Sequence, residues 1–184
     1  MPIPQASQIV VLGLGNTILS DDGAGIRAVE ALRRDPRTPP DVELIDGGTK
    51  GLELACFASD ASKLLLLDAV DVGEAPGMVV RIRGADLLGL PAGKTVHELG
   101  LADLLATLHL VAEQPIEIVL LGVQPAATAL GTALSPAVEA AIEVLVEEAL
   151  AQLVRWTQSP AAVFEAAAPG TAAQSSSRVC MRPV

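Results

Sequence analysis

Short apolar runs alternate along this chain with stretches whose apolar residues recur every three or four positions, a pattern that predicts strands alternating with helices. Residues 9–12 are continuously apolar, as expected of a central strand covered on both faces, and Ile26, Val29 and Leu32 then follow at helical spacing. The Pro-rich stretch 33–40 ends that helix. A second strand is predicted over 42–45, running into the turn signal Asp46-Gly47-Gly48-Thr49, and residues 52–57 read as the start of another helix. The apolar run 64–67 is a third buried strand, ending at Asp68. Only residues 71–77 separate it from residues 78–83, too few for a parallel crossover of about a dozen residues, so the fourth strand is expected to be antiparallel. Its alternation puts Met78, Val80 and Ile82 inward and Val79, Arg81 and Arg83 on a solvated face at a sheet edge. An amphipathic helix over 96–110 carries Leu101, Leu104, Leu105 and Leu108, and residues 116–123 give a fifth strand. Ser135 and Pro136 open a long last helix ending near Trp156. The expected fold is a three-layer α/β/α sandwich around a mixed, mostly parallel five-stranded sheet. One domain covers residues 1–158, and the Ala-, Ser- and Pro-rich residues 159–184 are expected to form a disordered tail.

Composition narrows the function classes. The 184 residues carry 22 acidic against 12 basic side chains, a formal charge of −10 that opposes nucleic acid and anionic membrane as partners. The apolar runs fall far short of the roughly 20 residues a bilayer demands, and residues 1–5 lack a secretory pattern, so the expected location is cytoplasmic. Cys56 and Cys180 make no disulfide framework, and Cys56, within an apolar stretch, is read as a buried small residue.

Candidate chemistry gathers at the carboxyl ends of the predicted strands, where open α/β sheets bind ligands. Asp21 and Asp22 follow the first strand, Asp46 the second and Asp68 the third. Any one of these is more often a cap or turn residue, but several converging on one edge favour a cation site. His97 opens a helix whose preceding loop can reach the same edge, and one imidazole with two carboxylates is a plausible divalent-metal shell. His109 lies inside its helix without such company. Other readings fail on particular residues. Gly13-Leu14-Gly15 begins like a dinucleotide-binding turn, but Ile18 stands at the third glycine and two carboxylates follow. His97-Glu98 cannot be a zincin motif, since Leu101 occupies the second histidine's place. No Gly-x-Ser-x-Gly elbow is present.

Six blocks, in order, resemble the [NiFe]-hydrogenase maturation endopeptidases: residues 13–23 (Gly-Leu-Gly-Asn-Thr-Ile-Leu-Ser-Asp-Asp-Gly), 46–51 (Asp-Gly-Gly-Thr-Lys-Gly), 67–71 (Leu-Asp-Ala-Val-Asp), Pro76-Gly77, 96–105 (Val-His-Glu-Leu-Gly-Leu-Ala-Asp-Leu-Leu) and 121–125 (Leu-Gly-Val-Gln-Pro). The resemblance implies an aspartic-type endopeptidase that removes the C-terminal peptide from the precursor of the hydrogenase large subunit after nickel insertion. Nickel would come with the substrate and serve as the recognition signal, with no organic cofactor. By resemblance the metal-contacting trio maps onto Asp22, Asp68 and His97, and Asp46 onto an acidic position linked to activity. Many relatives have Glu where Asp22 stands, one methylene longer. A metal-polarised carbonyl and a carboxylate-activated water remain alternative routes to cleavage. Two rival readings are a nickel-dependent assembly chaperone using the same trio without cleavage, and a peptidyl-tRNA hydrolase, whose Gly-Leu-Gly-Asn opening continues Pro-Gly where Thr17-Ile18 stand here and whose basic cleft the charge of −10 opposes.

Overall fold

The computed structural model describes residues 9–88, 98–112, 114–158 and 180–182. Its strands are β1 (Ile9–Leu14), β2 (Val42–Gly48), β3 (Lys63–Ala69), β4 (Val79–Arg83), β5 (Glu117–Val123) and β6 (Cys180–Arg182). They form one sheet in the order β2-β1-β3-β5-β4-β6. The strands β2, β1, β3 and β5 are mutually parallel, whereas β4 runs antiparallel to β5, as the short 71–77 connection demands. The chain leaves β1 toward β2 on one side and returns to β3 on the other, so the strand order reverses between β1 and β3. That reversal opens a crevice at their carboxyl ends, the usual ligand position in such sheets.

Helices α1 (Ala24–Arg34) and α5 (Pro136–Gln158) cover one face, packing Val29, Leu32, Val138, Leu145 and Trp156 against Val11, Leu65 and Leu121. The other face carries α2 (Ala55–Ala58), α3 (Ala85–Leu88) and α4 (Glu98–Val111), with Leu54, Leu101, Leu104 and Leu108 packed on Leu12, Leu64, Leu66 and Leu120. Burying a Leu or Val stabilises by about 1.5–3 kcal/mol, and the two clusters sandwich β1 and β3, which explains their continuous apolar runs.

Three expectations are corrected. The outward face of β4 is solvated only at Arg83, which is exposed as expected: Val79 is buried, and Arg81 lies under α5, donating to Gln152 Oε1 and to Glu148 Oε2 at 2.7 Å. The long α5 reaches across the antiparallel strand, a tertiary cover that strand alternation alone cannot signal. Cys56 is exposed, because the short α2 turns Ala55 and Ala58 inward and leaves Cys56 and Phe57 outside. The sheet has a sixth strand, β6, taken from the segment assigned to a tail, which pairs with the otherwise open edge of β4. The predicted helix at 52–57 is a 3-10 turn, Gly51–Leu54, running directly into α2.

Candidate functional site

The turn after β1 is shaped by close backbone approach. Gly15 has φ +134°, and a Cβ there would run into the carbonyl oxygen of Asp22, so only glycine lets the chain fold back this tightly. A Cβ on Gly25 would strike the carbonyl oxygens of Leu14 and Leu67, which lets the start of α1 sit directly on the ends of β1 and β3. Between them runs the 3-10 turn Ser20–Gly23, which packs against β3 and carries both acidic residues. Ser20 is held at φ +52°, a strained conformation for a non-glycine residue. Its N–H donates to Gly131 O at 2.7 Å and its hydroxyl to Ala133 O at 2.8 Å.

The adjacent carboxylates have different tasks. Asp21 is wholly buried, and its Oδ2 accepts from the N–H groups of Ala126 at 2.8 Å and Ala127 at 3.0 Å, its Oδ1 from Ser135 N–H at 2.6 Å. Burial pushes the Asp21 carboxyl up, but the three backbone donors outweigh it and hold the group below its ordinary value. Asp21 therefore ties the β5–α5 loop to the site and anchors the start of α5. Asp22 is equally buried but turns toward the glycine loop, where its Oδ2 accepts from Asn16 N–H at 2.9 Å. Asn16 Oδ1 in turn accepts from Ile18 N–H at 3.1 Å.

Asp68 is also fully buried, in the last turnout of β3 opposite Gly122, with Oδ1 accepting from its own neighbour's N–H, Ala69, at 2.8 Å. Leu64 and Leu66 face the α4 layer, so strand alternation sends Asp68 to the same side. The fold thus brings Asp22 and Asp68 to the β1–β3 crevice. Two buried carboxylates there suit a divalent cation, whose charge offsets the cost of keeping them from water. Asp46 stands apart. It is exposed, paired in register with Gly13, and its Oδ1 accepts from Gly48 N–H at 3.1 Å in a local turn. Val42 and Leu44 pack in the α1 layer, so alternation places Asp46 on the opposite side of the sheet edge from Asp68. His97 lies outside the described residues. The helix that follows it begins at Glu98, and Leu101 in its first turn packs beside Leu14 and Gly48 at the same edge. His109 is exposed in the last turn of α4. Among the described residues no three His, Cys, Asp or Glu side chains form a metal-binding group.

Sequence reasoning missed one polar organiser. Gln124 is buried, its Oε1 accepting from Val72 N–H at 2.9 Å and Glu74 N–H at 3.2 Å while Nε2 donates to Asp71 Oδ1 at 3.1 Å. It fixes the connection leaving β3 just beyond Asp68. A Gln-Pro pair after a buried strand was the available signal.

Known proteins resemble this chain in both sequence and fold. The family model described as hydrogenase maturation protease matches residues 26–152, a span that includes Asp46, Asp68 and His97 but begins after Asp22. The hydrogenase expression/formation protein HupD of Rhodobacter capsulatus is 38% identical over 127 residues, covering 68% of this chain and 60% of that protein. The hydrogenase 2 maturation protease of Escherichia coli K12 is 40% identical over 120 residues, covering 64% of this chain and 73% of that protein. The chain thus spans about three fifths of the length of the HupD relatives it matches. Among solved structures, the hydrogenase maturating endopeptidase HybD of E. coli superposes with a TM-score of 0.75 at 38% identity, covering 81% of this chain and 93% of that one. HybD of Thermococcus kodakarensis gives 0.69 at 26% identity, covering 79% and 99%.

Proposed function

Because this chain belongs to the hydrogenase maturation protease family, we propose that it is a cytoplasmic endopeptidase that removes the C-terminal peptide of the [NiFe]-hydrogenase large-subunit precursor once nickel has been inserted. The observation that carries the reading is the pair of fully buried carboxylates, Asp22 and Asp68, at the β1–β3 crevice. With His97 they make an incomplete oxygen and nitrogen donor set. Such a set holds free nickel weakly, but it can complete the shell of a nickel ion already gripped by substrate thiolates. Recognition is then ternary, and the protein cuts only where the substrate presents its metal.

Asp46 takes the role of general base. Its strand lies two strand spacings from that of Asp68, about 10 Å between backbones, and its side chain is on the other face, so a substrate main chain lying across the sheet edge would pass between the two carboxylates. Its exposed carboxylate would take a proton from water as the oxygen attacks the scissile carbonyl, and return that proton to the departing amine. Buried Asp22 and Asp68 position the substrate's nickel, while Asp21 and Gln124 keep the loops on either side of the crevice in place.

The test mixes purified protein with nickel-loaded and nickel-free precursor and reads intact mass. Loss of a C-terminal peptide from the nickel-loaded form alone supports the reading. Metal-dependent binding without any mass change would instead make the protein an assembly chaperone.

A further inference from the structure

Strand β6 sits on the outer edge of β4 over three residues, pairing Cys180 with Arg81, Met181 with Val80 and Arg182 with Val79. Without β6, β4 would end the sheet and present backbone groups ready to pair with any extended chain. Their direction is fixed by the inner side: Met78 O accepts from Gln124 N–H and Gly84 N–H donates to Ile118 O, so the alternate residues Val79 and Arg81 turn their N–H and C=O groups outward. A chain seated there is aimed at the site. Asp68 pairs with Gly122, Gly122 with Val80, and Val80 with Met181, so Asp68 and β6 lie in one row of the sheet. Three strand spacings separate them, about 14 Å, the length of roughly four extended residues. Moreover β6 runs from the level of Arg81 to that of Val79, toward the carboxyl edge of β3, where Asp68 lies one residue before the strand's end.

We propose that the outer edge of β4 is the docking surface for an extended segment of the precursor, bound by antiparallel strand addition, and that β6 occupies that edge in the substrate-free protein. The inference rests on the endopeptidase reading above. A segment seated as β6 is seated leaves β4 at the carboxyl edge with its next four or so residues long enough to reach Asp68 and Asp22. Main-chain pairing supplies the affinity, and the substrate's nickel supplies the register. The pairing of β6 is short, so a longer strand held also by its metal can displace it.

The test uses the full chain carrying Cys180→Pro and Arg182→Pro, which removes the two N–H donors facing β4. Amide exchange at Val79 and Arg81 is followed by NMR with and without nickel-loaded precursor, beside cleavage of the same precursor. In the free variant those amides should exchange at least about tenfold faster than in wild type, and precursor should restore their protection. The precursor KM should fall about tenfold with kcat unchanged, the order expected when a few net backbone hydrogen bonds no longer compete. A synthetic peptide of residues 178–184 added in trans should raise that KM again. Cleavage with Val79 and Arg81 left unprotected in the complex would overturn the docking inference while leaving the endopeptidase reading intact. Failure of both proteins to cut nickel-loaded precursor would overturn that reading, and this inference with it.

Discussion

Asp21→Ala should unhook the loop 126–135 without removing any group assigned to the substrate. The native carboxylate receives three backbone N–H groups, at 2.6, 2.8 and 3.0 Å, and all three lose their partner on truncation. An unsatisfied buried donor costs about 1–3 kcal/mol, and because these N–H groups are partly reached by water the lower end applies, giving a loss of about 3 kcal/mol. For a chain of this size that lowers Tm by about 6–12 °C. The pH dependence has a definite sign. Asp21 titrates below the ordinary 3.8 in the folded protein, so its contribution is complete above that value and disappears as pH falls through the lower folded one. Urea unfolding of wild type and Asp21→Asn should therefore differ at pH 7 and converge in strong acid. A loss under about 1 kcal/mol at pH 7, or a gap that widens on acidification, would refute the assignment of Asp21 as the loop's anchor.

Four further outcomes follow from the site. Asp22→Asn, Asp68→Asn and His97→Ala should each abolish precursor processing on a mobility gel while unfolding stays cooperative, and His109→Ala should process normally. Asp46→Asn should retain nickel-dependent binding of precursor, measured by calorimetry, but lose cleavage. Gly15→Ala should destabilise by at least about 1–3 kcal/mol from backbone strain, read in urea, and lower activity further by displacing the Asp22 peptide. Arg81→Ala should cost about 1–3 kcal/mol and show coupling with Glu148→Ala in a double-mutant cycle, since both side chains of that pair, one on β4 and one on α5, are mostly shielded from water.

The five predicted strands, their order of appearance and the antiparallel turn of β4 were legible because each rests on local patterning: an apolar run, a connection length, a turn residue. The placement of Asp22 and Asp68 at the carboxyl ends of β1 and β3 was legible too, since the rule that sites lie at strand ends needs only the strands. What escaped the sequence was everything decided across long separations. Asp21 and Asp22 are neighbours of the same type, and only backbone donors 105 to 114 residues away make one an anchor. The cover of β4 by α5, the outward face of Cys56 and the pairing of β6 are likewise tertiary facts that periodicity within one element does not encode.

The claim at the centre of this account is that Asp22 and Asp68 ligate nickel that the substrate carries. X-ray absorption at the nickel edge of loaded precursor, alone and mixed with wild-type, Asp22→Asn or Asp68→Asn protein under conditions that stall cleavage, measures that shell directly. Oxygen or nitrogen donors should join the sulfur shell with wild-type protein and be reduced with each variant. A nickel spectrum unchanged by wild-type protein that nevertheless cleaves the precursor would contradict it.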